Sequence, residues 1–406
     1  MRFFTLLILL SISHLFYSQD IVFDDISMGA GYENMLFYSL ENGLVAEAPM
    51  DGWDISFDVR SMGSSIRING GMGHSLYYYG TLDEWDTVSL DNLDMSNQLR
   101  NKHNSWSLGA FTQISDPEND FDLGWGIYDI ITHIVTGDKV FVLMLPTGEY
   151  KKIAIISLAS GVYTFKYADI NGENEYEIEI AKNDFSGKLQ AYFNLSSNQI
   201  LDYEPEASWD FLFTRYVEDL GDEYYYGVTG VLNRHTIGSY QADNLFDPFV
   251  DQTYDENLLN DSVNCIGYDW KEYSMGSGYS LVDDRCYFVY DDLGMTWRVV
   301  FTGFDGMSTG NIQLGKIKLE SSSTNDLETD YLTIYPNPAS QGDQIQIKNI
   351  SEIENISVIS SDGKTVFHED ISGLTSYIYL PQLESGFYII EYLIQNKRKV
   401  DKLVVQ

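Results

Sequence analysis

Histidine side chains have the widest chemistry in this sequence, because neutral imidazole ligates metal ions and haem iron and titrates near neutral pH. The chain has six histidines, and two of them lie near the chain ends. His74 and His235 lie at similar, though unequal, distances after Trp53 and Trp209. Two such imidazoles could ligate one haem iron, and the alternative is that each is an ordinary loop or surface histidine. The four histidines in the body of the chain are His74, His103, His133 and His235.

Enzyme motifs give no comparable signal. The sequence has no His-Glu-x-x-His zinc motif. With 61 Asp and Glu residues, a pair of carboxylates arises easily by chance and does not indicate a glycosidase. Residues 169–173 alternate oxygen-bearing side chains as calcium loops do, but Asn174 stands where an EF-hand requires glycine. We therefore expect an ordinary turn there, no resident metal ion and no catalytic activity.

The two cysteines, Cys265 and Cys286, are too few for a structural zinc site. In an exported protein they could form one disulfide, which would stabilise the fold by roughly 3 kcal/mol in the chain-entropy model. The alternative is two separate reduced thiols. The net charge of -37 argues against nucleic acid as a partner, because both molecules would be negative.

Two strands that begin with Trp-Asp organise the body of the chain. Residues 209–216 place apolar groups on both faces of a sheet, which is typical of a buried strand. Residues 53–60 alternate apolar and polar side chains.

The elements around these strands recur in the same order, which predicts an internal duplication; the alternative is two β-rich halves that share Trp-Asp by chance. The matched elements are residues 37–40 and 192–195, Pro49 and Pro205, residues 65–69 and 224–231, and hairpins at 140–158 and 287–301.

The ends of the chain differ from its body. Residues 1–18 combine an early positive charge with a short apolar run, as secretory signal peptides do. No other segment is long and apolar enough to predict a membrane span. Residues 320–330 are rich in Ser, Thr and acids, which is typical of a linker, and residues 331–406 after them predict short alternating strands.

The C-terminal segment resembles the type A sorting domain of the type IX secretion system of Bacteroidetes. This resemblance implies a small immunoglobulin-like β-sandwich, recognition by the secretion machinery, and release or attachment at the cell surface. The residues that carry it are Tyr335, Pro336, Asn337 and Pro338, then Gly363 and Lys364, then Gly386 and Tyr388, and finally Lys402.

The second unit, over residues 189–319, resembles the HmuY family of haem-binding proteins. The resemblance rests on residues 209–216, 228–232 and 300–304, and residues 19–175 echo it weakly. It implies an all-β scaffold that holds haem between two axial histidines. No motif assigns those ligands, so His235, His74, His133 and His103 all stay candidates.

The sequence as a whole predicts an all-β exported protein. We expect two HmuY-like units at 19–175 and 176–319, followed by the sorting sandwich at 331–406. The expected function is non-enzymatic ligand binding outside the cell or on its surface, with haem as the favoured cofactor. The alternative is a structural or adhesive surface protein that binds proteins or glycans.

Overall fold

The computed structural model describes residues 21–222 and 224–319, and from the C-terminal segment residues 333–337, 339–341, 345–348, 353–360, 364–370, 377–394 and 397–405. The expected signal peptide and the linker at 320–330 lie outside the described residues. The described elements are β-strands and short 3-10 helices, which confirms the all-β fold class. Among them no helix has the length and apolar character needed to cross a membrane.

Residues 21–319 form twenty-three described strands and seven short 3-10 helices. In chain order, the strands are β1 (Val22–Ser27), β2 (Asn34–Ser39), β3 (Gly43–Pro49), β4 (Ile55–Asp58), β5 (Ile66–Ile68), β6 (Ser75–Thr81), β7 (Gln98–Leu99), β8 (Gly126–Asp129), β9 (Ile134–Gly137), β10 (Lys139–Met144), β11 (Tyr150–Ala159), β12 (Val162–Asp169), β13 (Tyr176–Ala181), β14 (Gln190–Asn194), β15 (Gln199–Leu201), β16 (Phe211–Asp219), β17 (Tyr225–Asn233), β18 (Gly238–Ala242), β19 (Lys271–Ser274), β20 (Gly278–Leu281), β21 (Cys286–Tyr290), β22 (Thr296–Phe304) and β23 (Asn311–Leu319). The 3-10 helices are Gly70–Met72, Leu82–Thr87, Leu90–Asn92, Ala110–Thr112, Lys182–Phe185, Glu256–Leu258 and Gly306–Ser308.

These strands build two sandwiches. The first contains the sheets β15-β14-β4-β5 and β13-β12-β11-β10-β6-β7, with β8 and β9 attached to β11, and one hydrophobic cluster combines side chains of both sheets. We call it the inserted sandwich, because it is continuous in sequence from β4 to β15. The second, the split sandwich, contains the sheets β17-β16-β2-β3 and β1-β23-β22-β21-β18 around its own cluster. Its strands come from both sides of the inserted sandwich.

The two sandwiches have the same strand arrangement, and each combines strands from both expected units; we call this arrangement exchanged. Strand β2 pairs with β16, and its counterpart β14 pairs with β4. Strand β1 pairs with β23, and β13 likewise pairs with β12. Each of the two expected units therefore contributes its first three strands to one sandwich and its later strands to the other.

The expected boundary at residue 175 does not separate two folded bodies. It falls between β12 and β13, which are neighbours in one sheet, and the described residues from 21 to 319 belong to one compact unit. The division of the chain at 19–175 and 176–319 thus marks where the order of elements repeats. The chain passes from the split sandwich to the inserted sandwich at residues 50–54 and returns at residues 202–210. Common descent of the two repeats, and their relation to HmuY, stay predictions.

The two Trp-Asp segments make equivalent contacts, which explains why they recur. The Trp53 ring stands edge-on to Tyr192 at 5.2 Å, and the Trp209 ring stands edge-on to Phe37 at 5.3 Å. The aspartate after each Trp accepts a hydrogen bond from a backbone amide at the end of the strand that pairs with its own. Asp54 accepts from the Leu195 amide and Asp210 from the Leu40 amide, each at 2.6 Å. Each aspartate thereby satisfies a backbone donor at the end of its partner strand.

The C-terminal segment forms a separate unit with two sheets around one apolar core. Its strands are β24 (Thr333–Tyr335), β25 (Gln346–Lys348), β26 (Ile353–Ser360), β27 (Thr365–Asp370), β28 (Tyr377–Tyr379), β29 (Gly386–Ile394) and β30 (Lys397–Val405). The sheets are β24-β25-β28 and β27-β26-β29-β30, and the core includes Ile347, Val358 and Leu403.

The Asn337 side chain ties the two ends of this unit together. It donates to the Lys402 carbonyl at 2.8 Å and accepts from the Val404 amide at 3.1 Å. Pro338 and Gly363 of the expected motif lie outside the described residues.

Candidate functional site

His74 lies in the interior, where both ring nitrogens are engaged. Nδ1 is 2.9 Å from the Asn69 carbonyl oxygen, and Nε2 is 2.7 Å from a carboxylate oxygen of Asp54. The residue is only 3% exposed. Because an iron ligand needs a free nitrogen lone pair, this arrangement favours a structural role for His74.

His103 is also buried, at the edge of a small cavity between the two sandwiches. Its Nδ1 accepts a hydrogen bond from the Arg67 guanidinium at 3.2 Å, and its ring packs on Tyr216 at 4.5 Å. Burial, and then the Arg67 charge, hold the pKa of His103 well below its usual value. The imidazole is therefore neutral, with Nε2 carrying the proton.

His133 lies on the surface, in the turn between β8 and β9. Its backbone adopts a left-handed conformation (φ 58°), and its Nδ1 is 2.6 Å from the Tyr128 hydroxyl. It is exposed and lies away from the cavities that the other three candidates line.

His235 lies in a broad cleft of about 890 Å³ at which loops of both sandwiches meet. The inserted sandwich contributes residues 59–63, 182–183 and 186–188, and the split sandwich contributes residues 234–236. The four candidate histidines are thus distributed as follows: His74 and His103 line the same small cavity, His235 lies in the cleft, and His133 lies on the surface. The expected pair His74 and His235 do not share a site.

The cleft is basic. Arg60, Lys182, Lys188 and Arg234 line it together with His235, and none of its fifteen lining residues is Asp or Glu. This concentration is unusual in a chain with 61 acids and 24 Lys and Arg residues. The sequence did not reveal it, because these cations come from distant loops with no shared motif.

Three of these cations have carboxylate partners that do not line the cleft. The Arg60 guanidinium is 2.5 Å from Asp58, the Lys188 ammonium is 2.6 Å from Asp202, and the Arg234 guanidinium is 2.9 Å from Asp292. Lys182 differs, because its ammonium donates to the carbonyls of Arg60 and Gly63. The lining therefore presents hydrogen-bond donors and cations, and three of these cations are paired with carboxylates that are not part of the lining.

The ionisation of the cleft reflects this charge. Burial is the main cause that lowers the pKa of His235, and the neighbouring Arg60 and Arg234 lower it further. Burial also lowers the pKa of Lys182, while the Asp58 charge opposes this shift more strongly than Arg60 supports it. Of the two groups, His235 is therefore the one whose surroundings are mainly positive.

The cysteines are free thiols, so the expected disulfide is not formed. Cys286 on β21 packs with Tyr240 and Phe288 on one face of its sheet. The Cys265 thiol instead contacts Ser239, which precedes Tyr240 and so faces the opposite side. The sheet itself therefore lies between the two sulfurs.

Two sequence patterns prove to be ordinary turns. The Asp169 carboxylate of the calcium-like loop accepts from Asn174 at 2.6 Å and pairs with Lys151. No group of metal-ligating side chains occurs in the part of the chain that the structure describes. Residues 306–310 read Gly-Met-Ser-Thr-Gly, a pattern typical of hydrolase nucleophiles that sequence reasoning missed. There the Ser308 hydroxyl donates to the Asp305 carbonyl in a short 3-10 turn, without the strand-to-helix context of such a nucleophile.

Comparison with known proteins identifies the C-terminal unit. Residues 333–406 match the family model described as the secretion system C-terminal sorting domain. The chain ends in a type IX sorting domain. It is therefore a substrate of that secretion system, exported for secretion or for display on the cell surface.

The remaining comparisons add little. No curated protein matches the chain. A solved structure of PorZ, titled an essential bacterial surface component of the type IX secretion system of Porphyromonas gingivalis, aligns at 11% identity and a TM-score of 0.18. The alignment covers 69% of this chain and 41% of that one, so this chain spans less than half of that protein's length. So low a TM-score carries no argument about the fold or the function.

Proposed function

We propose that the protein acts outside the cell as a non-enzymatic binding protein whose ligand is an anion held in the basic cleft. The observation that carries this proposal is the lining of the cleft, with five basic side chains and no acid. Its volume of about 890 Å³ lies in the range of small-molecule sites, which is roughly 300–1,000 Å³. A ligand with carboxylate, sulfate or phosphate groups would receive charge-assisted hydrogen bonds there.

Haem is one anion that suits this proposal, because it carries two carboxylates. His235 is the best placed of the four candidate ligands, since it lies among the cations that would receive those carboxylates. Met62 lines the same cleft and is 92% exposed, and a thioether can serve as the second axial ligand of haem. Haem binding, like the HmuY relation, stays a prediction.

Binding to the cleft is tested by calorimetric titration with inorganic phosphate, glucuronate and glucose. We expect the two anions to bind and the neutral sugar not to bind. The Lys188→Gln variant should weaken anion binding about tenfold or more, because it removes one cation of the lining. Lys318→Gln is the matched control, since that lysine pairs with Glu41 outside the cleft. Equal effects of the two variants, or no anion binding at all, would contradict the proposal.

A hemin titration tests the haem prediction separately. Binding at His235 should shift the Soret band, and the His235→Ala variant should lose that shift. A flat titration at micromolar hemin would exclude haem but leave the other anions untouched.

Export is tested by deleting residues 329–406, which removes the sorting domain. The truncated protein should accumulate in the periplasm, and its absence from the medium and cell surface is measured by immunoblotting of fractions. Appearance of the truncated protein outside the cell would contradict the export route.

Adhesion to glycans is the second candidate function, and one observation favours it. Tyr224 and Tyr226 on the β16–β17 hairpin stack on each other at 6.4 Å and remain 59% and 55% exposed. Exposed aromatic rings provide flat apolar surface with a polar edge, which suits sugar rings. A glycan array should then give hits that a Tyr224→Ala/Tyr226→Ala variant loses, and a blank array would remove this candidate.

A further inference from the structure

A second concentration of positive charge lies inside the molecule, in a small cavity between the two sandwiches. Strands β5 and β14 of the inserted sandwich face β16 and β17 of the split sandwich across it. Its volume is about 50 Å³, which is room for one or two water-sized particles. Arg67, Arg100 and Arg215 line it with His74 and His103, and no Asp or Glu is among its described lining residues.

Arg67 carries a buried charge without a carboxylate partner. It is 4% exposed, and no acid among the described residues lies within ion-pair distance of its guanidinium. Instead it donates to the carbonyls of Ser105 and Lys102, each at 3.1 Å. Burial lowers the pKa of Arg67 to about 10, although the Asp58 charge, which lies beyond ion-pair distance, opposes this shift. A buried cation of this kind normally requires a counter-charge.

Three buried donors of residues that line this cavity lack a partner among the described residues. They are Nε2 of Gln190, the hydroxyl of Tyr216 and Nε1 of Trp53. Gln190 is 3% exposed, and its amide oxygen is already occupied by the Ser56 hydroxyl. Buried donors in native proteins are nearly always satisfied by protein, water or an ion, so these donors need acceptors that the described residues do not supply.

We propose that this cavity binds a small monatomic anion, chloride being the abundant one. An anion in the cavity accepts hydrogen bonds from donors that line it and adds negative charge beside Arg67, which Asp58 compensates only in part. Water would satisfy the donors without adding that charge. A monatomic ion needs less room than a carboxylate or a larger oxyanion, which suits a cavity of about 50 Å³. This site is independent of the basic cleft and of the function proposed for it.

Halide-dependent stability tests the proposal on the whole protein. Its melting temperature is measured in increasing sodium chloride, sodium bromide and sodium gluconate at matched ionic strength. We expect a saturating rise with both halides and not with gluconate, because only an ion that binds the folded state stabilises it by mass action. The same response to all three salts would overturn the proposal.

Bromide also locates the site. Crystals grown in sodium bromide should show an anomalous peak between Arg67, Gln190 and Tyr216. Ordinary water density without an anomalous peak at this position would overturn the proposal, and this measurement requires no variant.

The Gln190→Glu variant supplies the negative charge covalently. Its carboxylate can still accept the hydrogen bond from Ser56. We expect this variant to lose the halide dependence and to match the wild-type protein in stability at saturating chloride. Gln199→Glu on the exposed strand β15 adds the same charge elsewhere and should keep the full halide response. A halide response in Gln190→Glu equal to that of the wild type would contradict the site.

Discussion

Asp210 and Asp54 occupy equivalent positions, yet substitution by asparagine should have opposite effects. Asp54 is 2.7 Å from the His74 imidazole, whose Nε2 donates a hydrogen bond to this carboxylate. Asp210 has no such partner among the described residues. Burial, and then the nearby Asp291 and Asp292, raise the pKa of Asp210 to about 6, although the Leu40 amide opposes this shift.

The raised pKa of Asp210 predicts a specific pH dependence. The folded state holds the proton more tightly than the unfolded state, whose pKa is near 3.8. The folded state therefore binds more protons between pH 4 and pH 6, so its stability falls as the pH rises through this window. A shift of about two units corresponds to about 3 kcal/mol, and this whole cost is present at pH 7.

The Asp210→Asn variant should avoid that cost. Its amide oxygen can still accept from Leu40, and its NH₂ group can donate to the Ser39 hydroxyl that now donates to Asp210. We expect the variant to be more stable than the wild type by about 1–3 kcal/mol at pH 7 and equal to it near pH 4. Asp54→Asn should instead lose about 1.5–3 kcal/mol, because it removes a charge-assisted hydrogen bond.

Urea denaturation followed by tryptophan fluorescence measures these differences at pH 4, 5, 6 and 7. Taking the difference between wild type and variant cancels the titration of the other acids. An Asp210→Asn variant that is less stable than wild type at pH 7, or a difference that does not change between pH 4 and pH 7, would refute the reasoning.

Three further predictions follow from other described contacts. Burial lowers the pKa of Lys271 to about 7, so the wild type should gain stability as the pH rises from 7 towards 10, by up to about 4 kcal/mol. Lys271→Met should lack this gain in urea denaturation at each pH. Because Cys265 and Cys286 are free, titration with a thiol reagent in denaturant should detect two thiols, and a count of zero would indicate a disulfide. Cys265→Ser should change the free energy of unfolding by less than about 1 kcal/mol. Deletion of residues 22–49 should unfold the split sandwich and leave the inserted sandwich folded. Hydrogen exchange can measure the protection of each sandwich separately, and an equal loss of protection in both would contradict this prediction.

The sequence predicts the local elements well, because short turns determine them. The hairpins formed by β10 with β11 and by β21 with β22 are confirmed close to their expected bounds. Residues 209–216 form a buried strand as expected, and residues 53–60 form a strand whose polar side chains are buried as well. In each case the hydrophobic pattern and the turn lie within about twenty residues.

The pairing of distant strands could not be predicted in the same way. Residues 37–40 and 192–195 carry similar apolar patterns, so either could pair with either Trp-Asp strand without exposing an apolar face. Only the packed structure selects the exchanged arrangement. The same limit applies to the candidate site, because Arg60, Lys182 and Arg234 converge from loops that no local pattern connects.

The histidine hypothesis illustrates a further limit. Nothing in the local sequence shows that Asp54 reaches back to the ring of His74, or that Arg67 donates to the ring of His103. Both imidazoles are buried and form hydrogen bonds with groups inside the protein. His235 keeps a place in an accessible cleft, and sequence order alone did not distinguish it from the other three.

The exchanged strands also constrain the order in which the protein can fold. Val22 pairs with Lys316, so β1 cannot pair with β23 until almost the entire unit has been synthesised. The inserted sandwich has all its strands available once residue 201 has emerged. Strands β2 and β3 pair with each other but lack β16 until later, and β1 stays unpaired until β23 follows. Such long-range contacts slow folding. During that interval the N-terminal strands of one molecule can complete the split sandwich of another, which is a direct route to a strand-exchanged dimer.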